Sequence, residues 1–175
     1  MVARTDRAVA RRTEIRTRRL AFWIVASLLT GVGSVALLGY WLPVAHQASR
    51  GMEFNAPPDA VWALIRNPDS YGAWWKDADV KSAVVESVPP SRLVTRIVNE
   101  TQFGGTWTFE ISPTPSGTRL TITERGEIYN VVFRALAKYV FGYTSTMDSF
   151  LEALKLQLKL ELPTQLVTAN WRTAN

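Results

Sequence analysis

The sequence predicts an α+β domain, an antiparallel sheet packed on one long C-terminal helix, carried behind a single membrane-spanning helix. Three observations predict it. Residues 20–42 hold no charged side chain. Residues 105–112 and 118–128 alternate apolar and polar side chains with the period of two that marks half-buried strands. From Val131 to about Leu160, apolar residues at 132, 136, 140, 143, 147, 151, 154 and 158 form a continuous helical stripe.

The uncharged stretch LAFWIVASLLTGVGSVALLGYWL is 23 residues long. At about 1.5 Å per residue, a helix of that length reaches roughly 35 Å, enough to cross a hydrocarbon core of about 30 Å. Phe22-Trp23 and Tyr40-Trp41 mark its two ends, where amphipathic rings favour the lipid–water boundary, and Pro43 stops it. A core helix rarely runs this far without a polar face. The apolar core of a cleaved signal is shorter, about 7–15 residues, and His46 spoils the small-x-small pattern before Ala48. The expectation is an uncleaved single-pass anchor. Ser27 and Gly31 form one small-xxx-small pair, which is common in membrane helices and sets no oligomeric state.

Residues 1–19 form an Arg-rich arm. Seven arginines (4, 7, 11, 12, 16, 18 and 19) face only Asp6 and Glu14, whereas the chain beyond the span carries 13 basic and 13 acidic residues. The basic balance therefore belongs to the arm, and it predicts no nucleic-acid partner. Basic residues beside a span stay in the cytoplasm, so the domain is expected on the far side of the membrane, with the cell membrane as its location. No cysteine is present, which excludes disulfides, thiolate metal sites and a Cys nucleophile.

After the span, residues 43–50 read as a short tether and residues 51–162 as the domain. Gly51-Met52-Glu53-Phe54 is a brief strand. Asn55-Ala56-Pro57-Pro58-Asp59 then opens a helix carrying Val61, Leu64 and Ile65 on one face and ending at Asn67-Pro68. Asp69-Ser70 caps a second short helix that brings Tyr71, Trp74 and Trp75 together. Four strands follow, over 80–88, 92–99, 105–112 and 118–128, the last two joined by a five-residue turn at Pro113 to Gly117. In the long C-terminal helix, Gly142 either bends the helix or divides a short helix from a long one. Pro163 closes it, and residues 163–175 read as a loose polar tail.

At Asn55-Ala56-Pro57-Pro58-Asp59-Ala60-Val61-Trp62 and Trp74-Trp75 the chain resembles the SRPBCC superfamily, also called START-like or helix-grip, and within it the polyketide cyclase/dehydrase branch. The runs Phe103-Gly104-Gly105-Thr106-Trp107-Thr108-Phe109-Glu110 and Gly117-Thr118-Arg119-Leu120-Thr121-Ile122-Thr123-Glu124 fit the same pattern. The resemblance covers about residues 50–160 and implies a helix-grip fold, a curved antiparallel sheet wrapped on the last helix. That fold carries about six strands after its short helices. Only four are counted here, so the sheet is expected to be one hairpin short.

The resemblance also implies an apolar ligand held between sheet and helix. Its candidate contacts are Trp107, Phe109 and Ile122 from the sheet, with Phe133, Leu136, Tyr143 and Met147 from the helix. For any one of them plain core packing is the commoner role. As a set they suit the mostly apolar pockets that small molecules use. Glu124 follows Leu120 and Ile122 on the inward register; buried, it needs a partner such as Arg134, or its pKa rises. Glu124 and Tyr129 are the only candidates for general acid–base chemistry. The single histidine, His46, falls in the expected tether, and no His/Cys/Asp cluster has metal-ligand spacing, so no metal and no cofactor are expected. Three readings follow: membrane-anchored binding of a lipid or other hydrophobic small molecule; a cyclase or dehydratase on a polyketide-like or aromatic substrate; and a ligand-free scaffold.

Overall fold

The computed structural model describes residues 2–173, with side-chain surroundings for residues 16–161. Helix α1 runs from Val2 to Tyr40 as one element of 39 residues. The Arg-rich arm is thus helical and continuous with the apolar stretch. Its composition accounts for this: Ala and Arg are strong helix formers, and no glycine or proline precedes Gly31. Residues 16–40 form a helix long and apolar enough to cross a membrane.

Strand β1 spans Ala45–Phe54, helix α2 Pro58–Ile65, and a 3₁₀ turn Pro68–Ala73. Strands β2 (Ser82–Val88), β3 (Arg92–Ile97), β4 (Phe103–Thr114) and β5 (Gly117–Ile128) follow. They pair antiparallel in the order β1-β5-β4-β3-β2, a five-stranded sheet of one strand before the helices and four after them. The β4–β5 hairpin turns through only Pro115 and Ser116, because Thr114 pairs with Gly117. Gly117 makes this close turn at φ +145°, a backbone conformation that side chains disfavour.

The expected tether at 43–50 is instead strand. All ten residues of β1 pair with β5, from Ala45 opposite Glu127 to Phe54 opposite Thr118. Ala45 to Arg50 (AHQASR) has no β-branched or large aromatic side chain, so pairing with β5, not local preference, makes the strand. Only residues 41–44 then separate α1 from the sheet.

The expected long last helix is divided. Helix α3 spans Val131–Leu136 and passes into a π-helical turn at Ala137–Phe141. Gly142, at φ +75°, breaks the chain, and α4 begins at Ser145. Helix α4 continues past Pro163 to Thr173, where a loose tail was expected; residues 174 and 175 lie outside the described residues. A proline within a helix removes one hydrogen bond and can kink the helix without ending it.

The grip is solid at one end. Met147, Phe150, Leu151, Leu154 and Leu158 of α4 bury their side chains in one cluster with Leu93, Phe109, Ile111, Leu120 and Ile122 of the sheet and Val61 and Ile65 of α2. Each buried aliphatic or Phe side chain contributes about 1.5–3 kcal/mol.

The other end of the sheet, where β1 begins, meets α1. There Gly39 packs on the start of α3, and a Cβ at Gly39 would collide with the Val131 carbonyl. Arg134 is only 6% exposed. Its guanidinium donates to the carbonyls of Ile128 (2.8 Å), Tyr129 (3.2 Å), Gly39 (3.2 Å) and Leu42 (3.0 Å). Gly39 lies in the last turn of α1, where a cation is favoured by the helix dipole, and its carbonyl also accepts from the Leu42 N–H just beyond the helix. Arg134 therefore ties α1 to β5 and α3, a different role from the Glu124 partner the sequence suggested.

Candidate functional site: a half-enclosed cavity at the α1 end of the sheet

Where α4 stops filling the grip, a cavity of about 460 Å³ opens. Inward-facing side chains alternate along each strand, so one register supplies its sheet wall: Thr95 and Ile97 of β3, Trp107 of β4 and Glu124 of β5. Phe133, Ala137, Phe141 and Tyr143 form the opposite wall, and Tyr71 and Trp75 the floor. Trp75 is held by its indole N–H, which donates to Ser149 Oγ at 3.0 Å, and by edge contact with Phe150 at 5.2 Å. The lining is mostly apolar, with Asp77 and Asp79 at the rim and one polar corner inside.

That corner is built by β1 and β5. His46 pairs with Gly126, and its Nε2 lies 3.6 Å from Glu124 Oε1. The two side chains are 10% and 17% exposed. The imidazole stacks on Tyr143 with ring centroids 4.2 Å apart and planes 17° from parallel. Gly126 makes room for it, since a Cβ there would run into the His46 ring. Burial raises the Glu124 pKa, an effect partly opposed by the hydrogen bond it accepts from Trp107. Burial lowers the His46 pKa. Both shifts are toward the neutral form of each group. His46 Nδ1 is buried without a hydrogen-bond partner.

The structure brings Trp107, Glu124, Phe133 and Tyr143 together around the cavity. Phe109, Ile122 and Met147 are fully buried in the solid core beneath it and do not line it. Leu136 turns the other way, into an apolar groove beside α1 that it shares with Val132, Leu28 and Val35. Tyr129 is 47% exposed and donates to Glu127 at 2.6 Å, so it does not pair with Glu124. His46 was missed because the strand that carries it was read as tether. Its spacing from Ala48, Met52 and Phe54 is the period-two signal that could have found it. Among the described residues no cluster of His, Cys, Asp or Glu has the geometry to hold a metal.

This arrangement, a short-helix pair inserted after the first strand of an antiparallel sheet that grips the last helix, defines a START-like helix-grip fold. No family model and no curated protein matches the chain. Solved structures do. A protein of Mesorhizobium loti matches at 19% identity over 67% of this chain and 98% of its own, with a TM-score of 0.53. A Rhizobium loti protein matches at 22% identity over 65% and 96%, with a TM-score of 0.51. A START superfamily protein from Mycobacterium smegmatis matches at 15% identity over 66% and 98%, with a TM-score of 0.51. At these identities the similarity is one of fold.

Proposed function

We propose that this protein binds a lipid or other hydrophobic small molecule in the cavity beside the membrane to which α1 anchors it. The observation that carries this reading is the chamber of about 460 Å³, mostly apolar in its lining and polar at the His46–Glu124 corner. Pockets of roughly 300–1,000 Å³ with a few convergent polar groups suit small ligands. An amphiphile placing its chain along Trp107 and Phe133 brings a hydroxyl, carbonyl or protonated acid group to that corner. A space of this size favours ligand binding over a scaffold role. Uptake of a fluorescent fatty acid by the detergent-solubilised protein, lost in His46→Phe, tests the reading. No uptake by the wild type contradicts it.

The anchor reading rests on residues 20–42, uncharged throughout and exposed over most of the helix away from its contact with α3. Seven arginines on one side support a topology with that side in the cytoplasm and the domain outside. A reporter fused after Asn175 is expected to be active only outside the cytoplasm.

A second reading, a cyclase or dehydratase acting on a polyketide-like or aromatic substrate, is favoured by the proximity of His46 and Glu124. An imidazole and a carboxyl side by side can take up and give a proton, the exchange that enolisation and loss of water require. Turnover of a supplied polyketide precursor, abolished by His46→Phe and Glu124→Gln, distinguishes enzyme from carrier.

A further inference from the structure

We propose that residues 131–141 are immersed in the leaflet next to the domain, so that one lip of the cavity opens onto lipid and not onto water. The inference rests on the anchor reading of α1 and assigns a second membrane-contacting element that the uncharged stretch alone does not reveal.

Depth follows from packing. Tyr40 and Trp41 mark the expected boundary of the span, and Val131 meets α1 at Gly39, one residue inside it. From there α3 runs back along α1: Val132 and Leu136 share their groove with Leu28, Gly31, Val32 and Val35. Those α1 residues lie roughly 6–17 Å along the helix from Gly39, at about 1.5 Å per residue. A helix packed against that part of a membrane span shares its depth. Four carbonyls hold Arg134 in place, so α3 keeps this register.

Exposure agrees. Tyr139 is 62%, Val140 65% and Phe141 56% exposed, an apolar run at the outer surface in which Phe141 also borders the cavity. In water these three side chains are a liability; in lipid they are at home. The segment's charges are managed. Arg134 is spent on backbone carbonyls, and the Lys138 ammonium lies 5.6 Å from the Tyr139 ring centroid. Its four-carbon stem lets it reach toward the headgroups.

The consequence concerns the cavity. Its exposed rim has two unlike lips, Asp77, Asp79 and Val80 on one side and Phe133, Phe141 and Gly142 on the other. With 131–141 in lipid, the Phe133–Phe141 lip faces acyl chains while the aspartates face water. An amphiphile already resident in the leaflet then enters without crossing water, which narrows the ligand class to membrane lipids and their products.

The chain has no native cysteine, so single cysteines report cleanly. Val140→Cys, Leu29→Cys and Ser116→Cys would each be labelled with an environment-sensitive nitrobenzoxadiazole dye in the full chain, reconstituted in phosphatidylcholine vesicles. Ser116 lies at the far hairpin tip, beside the strand end opposite α1. The expected result is that dyes at 140 and 29 are quenched by spin-labelled acyl chains and shielded from aqueous iodide, while the dye at 116 shows the reverse. A position-140 dye that behaves like the one at 116, with 29 still lipid-quenched, overturns the inference alone. Iodide access at position 29 overturns the anchor reading and the inference with it.

Discussion

His46 Nε2 and Glu124 Oε1 lie 3.6 Å apart across the β1–β5 ladder, in the most buried polar corner of the cavity. Neither residue is an isolated feature: Gly126 clears the space for the ring, Tyr143 covers it, and Trp107 bonds the carboxyl. The pair makes stability depend on pH in a way that can be measured. A carboxyl whose folded pKa is raised binds its proton more tightly folded than unfolded. Its contribution is therefore best below the ordinary carboxylate pKa and worsens as pH rises through the raised value. Glu124→Gln is expected to raise the melting temperature at pH 7 relative to wild type, with the difference vanishing near pH 4. An equal effect at both pH values would place the Glu124 carboxylate in solvent. His46 acts oppositely: with its pKa lowered, stability is lost as pH falls below about 6.5. His46→Phe should flatten that limb.

Arg134→Met removes the donor from four carbonyls at the junction of α1, β5 and α3. The Gly39 carbonyl keeps the Leu42 N–H, but the others lose this donor; a buried polar group left unpaired costs about 1–3 kcal/mol, so a loss on the order of 3 kcal/mol is expected by thermal unfolding in detergent. Hydrogen exchange at residues 39–45 should rise at the same time. Unchanged exchange there would mean that α1 is held by other contacts.

Leu154→Asp puts a carboxylate where α4 fills the solid end of the grip, at a side chain with no exposure. An unpaired buried charge costs several kcal/mol, against a total stability of about 5–15 kcal/mol. Cooperative unfolding should be lost. A normal melting transition would show that α4 presents another face to the sheet.

Much of this fold is legible in the sequence. Phe109, Ile111, Leu120 and Ile122 alternate because β4 and β5 are buried on one face only, and Met147, Leu151, Leu154 and Leu158 recur because α4 lies along that face. What was illegible has physical causes. Val132, Leu136 and Val140 continue the α4 stripe by spacing, yet the break at Gly142 redirects them, two toward α1 and one to the outside. The residues of β1 carry no strand preference over Ala45–Arg50 and their partner β5 is some 70 residues away, so the alternation of His46, Ala48, Met52 and Phe54 is the one local mark of the strand. The site lost its histidine with that strand. Tyr129 attracted attention by being polar near the strand end, but it follows the last inward residue, Ile128, and turns to Glu127.

Trp107 separates a filled core from a chamber wall. It packs on Trp75 at 6.1 Å and Phe150 at 5.7 Å on one side and borders the cavity on the other. In a filled core Trp→Ala costs about 3–5 kcal/mol, because a void is left behind. Here the void exists already, so the cost should fall well short of that while affinity for a fatty-acid probe changes at least tenfold. A full core penalty with unaltered binding would reassign Trp107 to packing alone.

The central claim, that the chamber holds a hydrophobic ligand, is tested most directly by native mass spectrometry of the detergent-extracted full chain, wild type beside Ala137→Phe. Ala137 is 7% exposed and borders the cavity, so the added ring projects into the space a ligand would fill. Overpacking a filled core costs about 1–3 kcal/mol, whereas filling an empty chamber should leave the melting temperature nearly unchanged. The expected result is a wild-type protein that carries a co-purified lipid mass and a stable Ala137→Phe variant without it. A wild type that carries no adduct and takes up no added fatty acid, with a variant destabilised by overpacking, would contradict it.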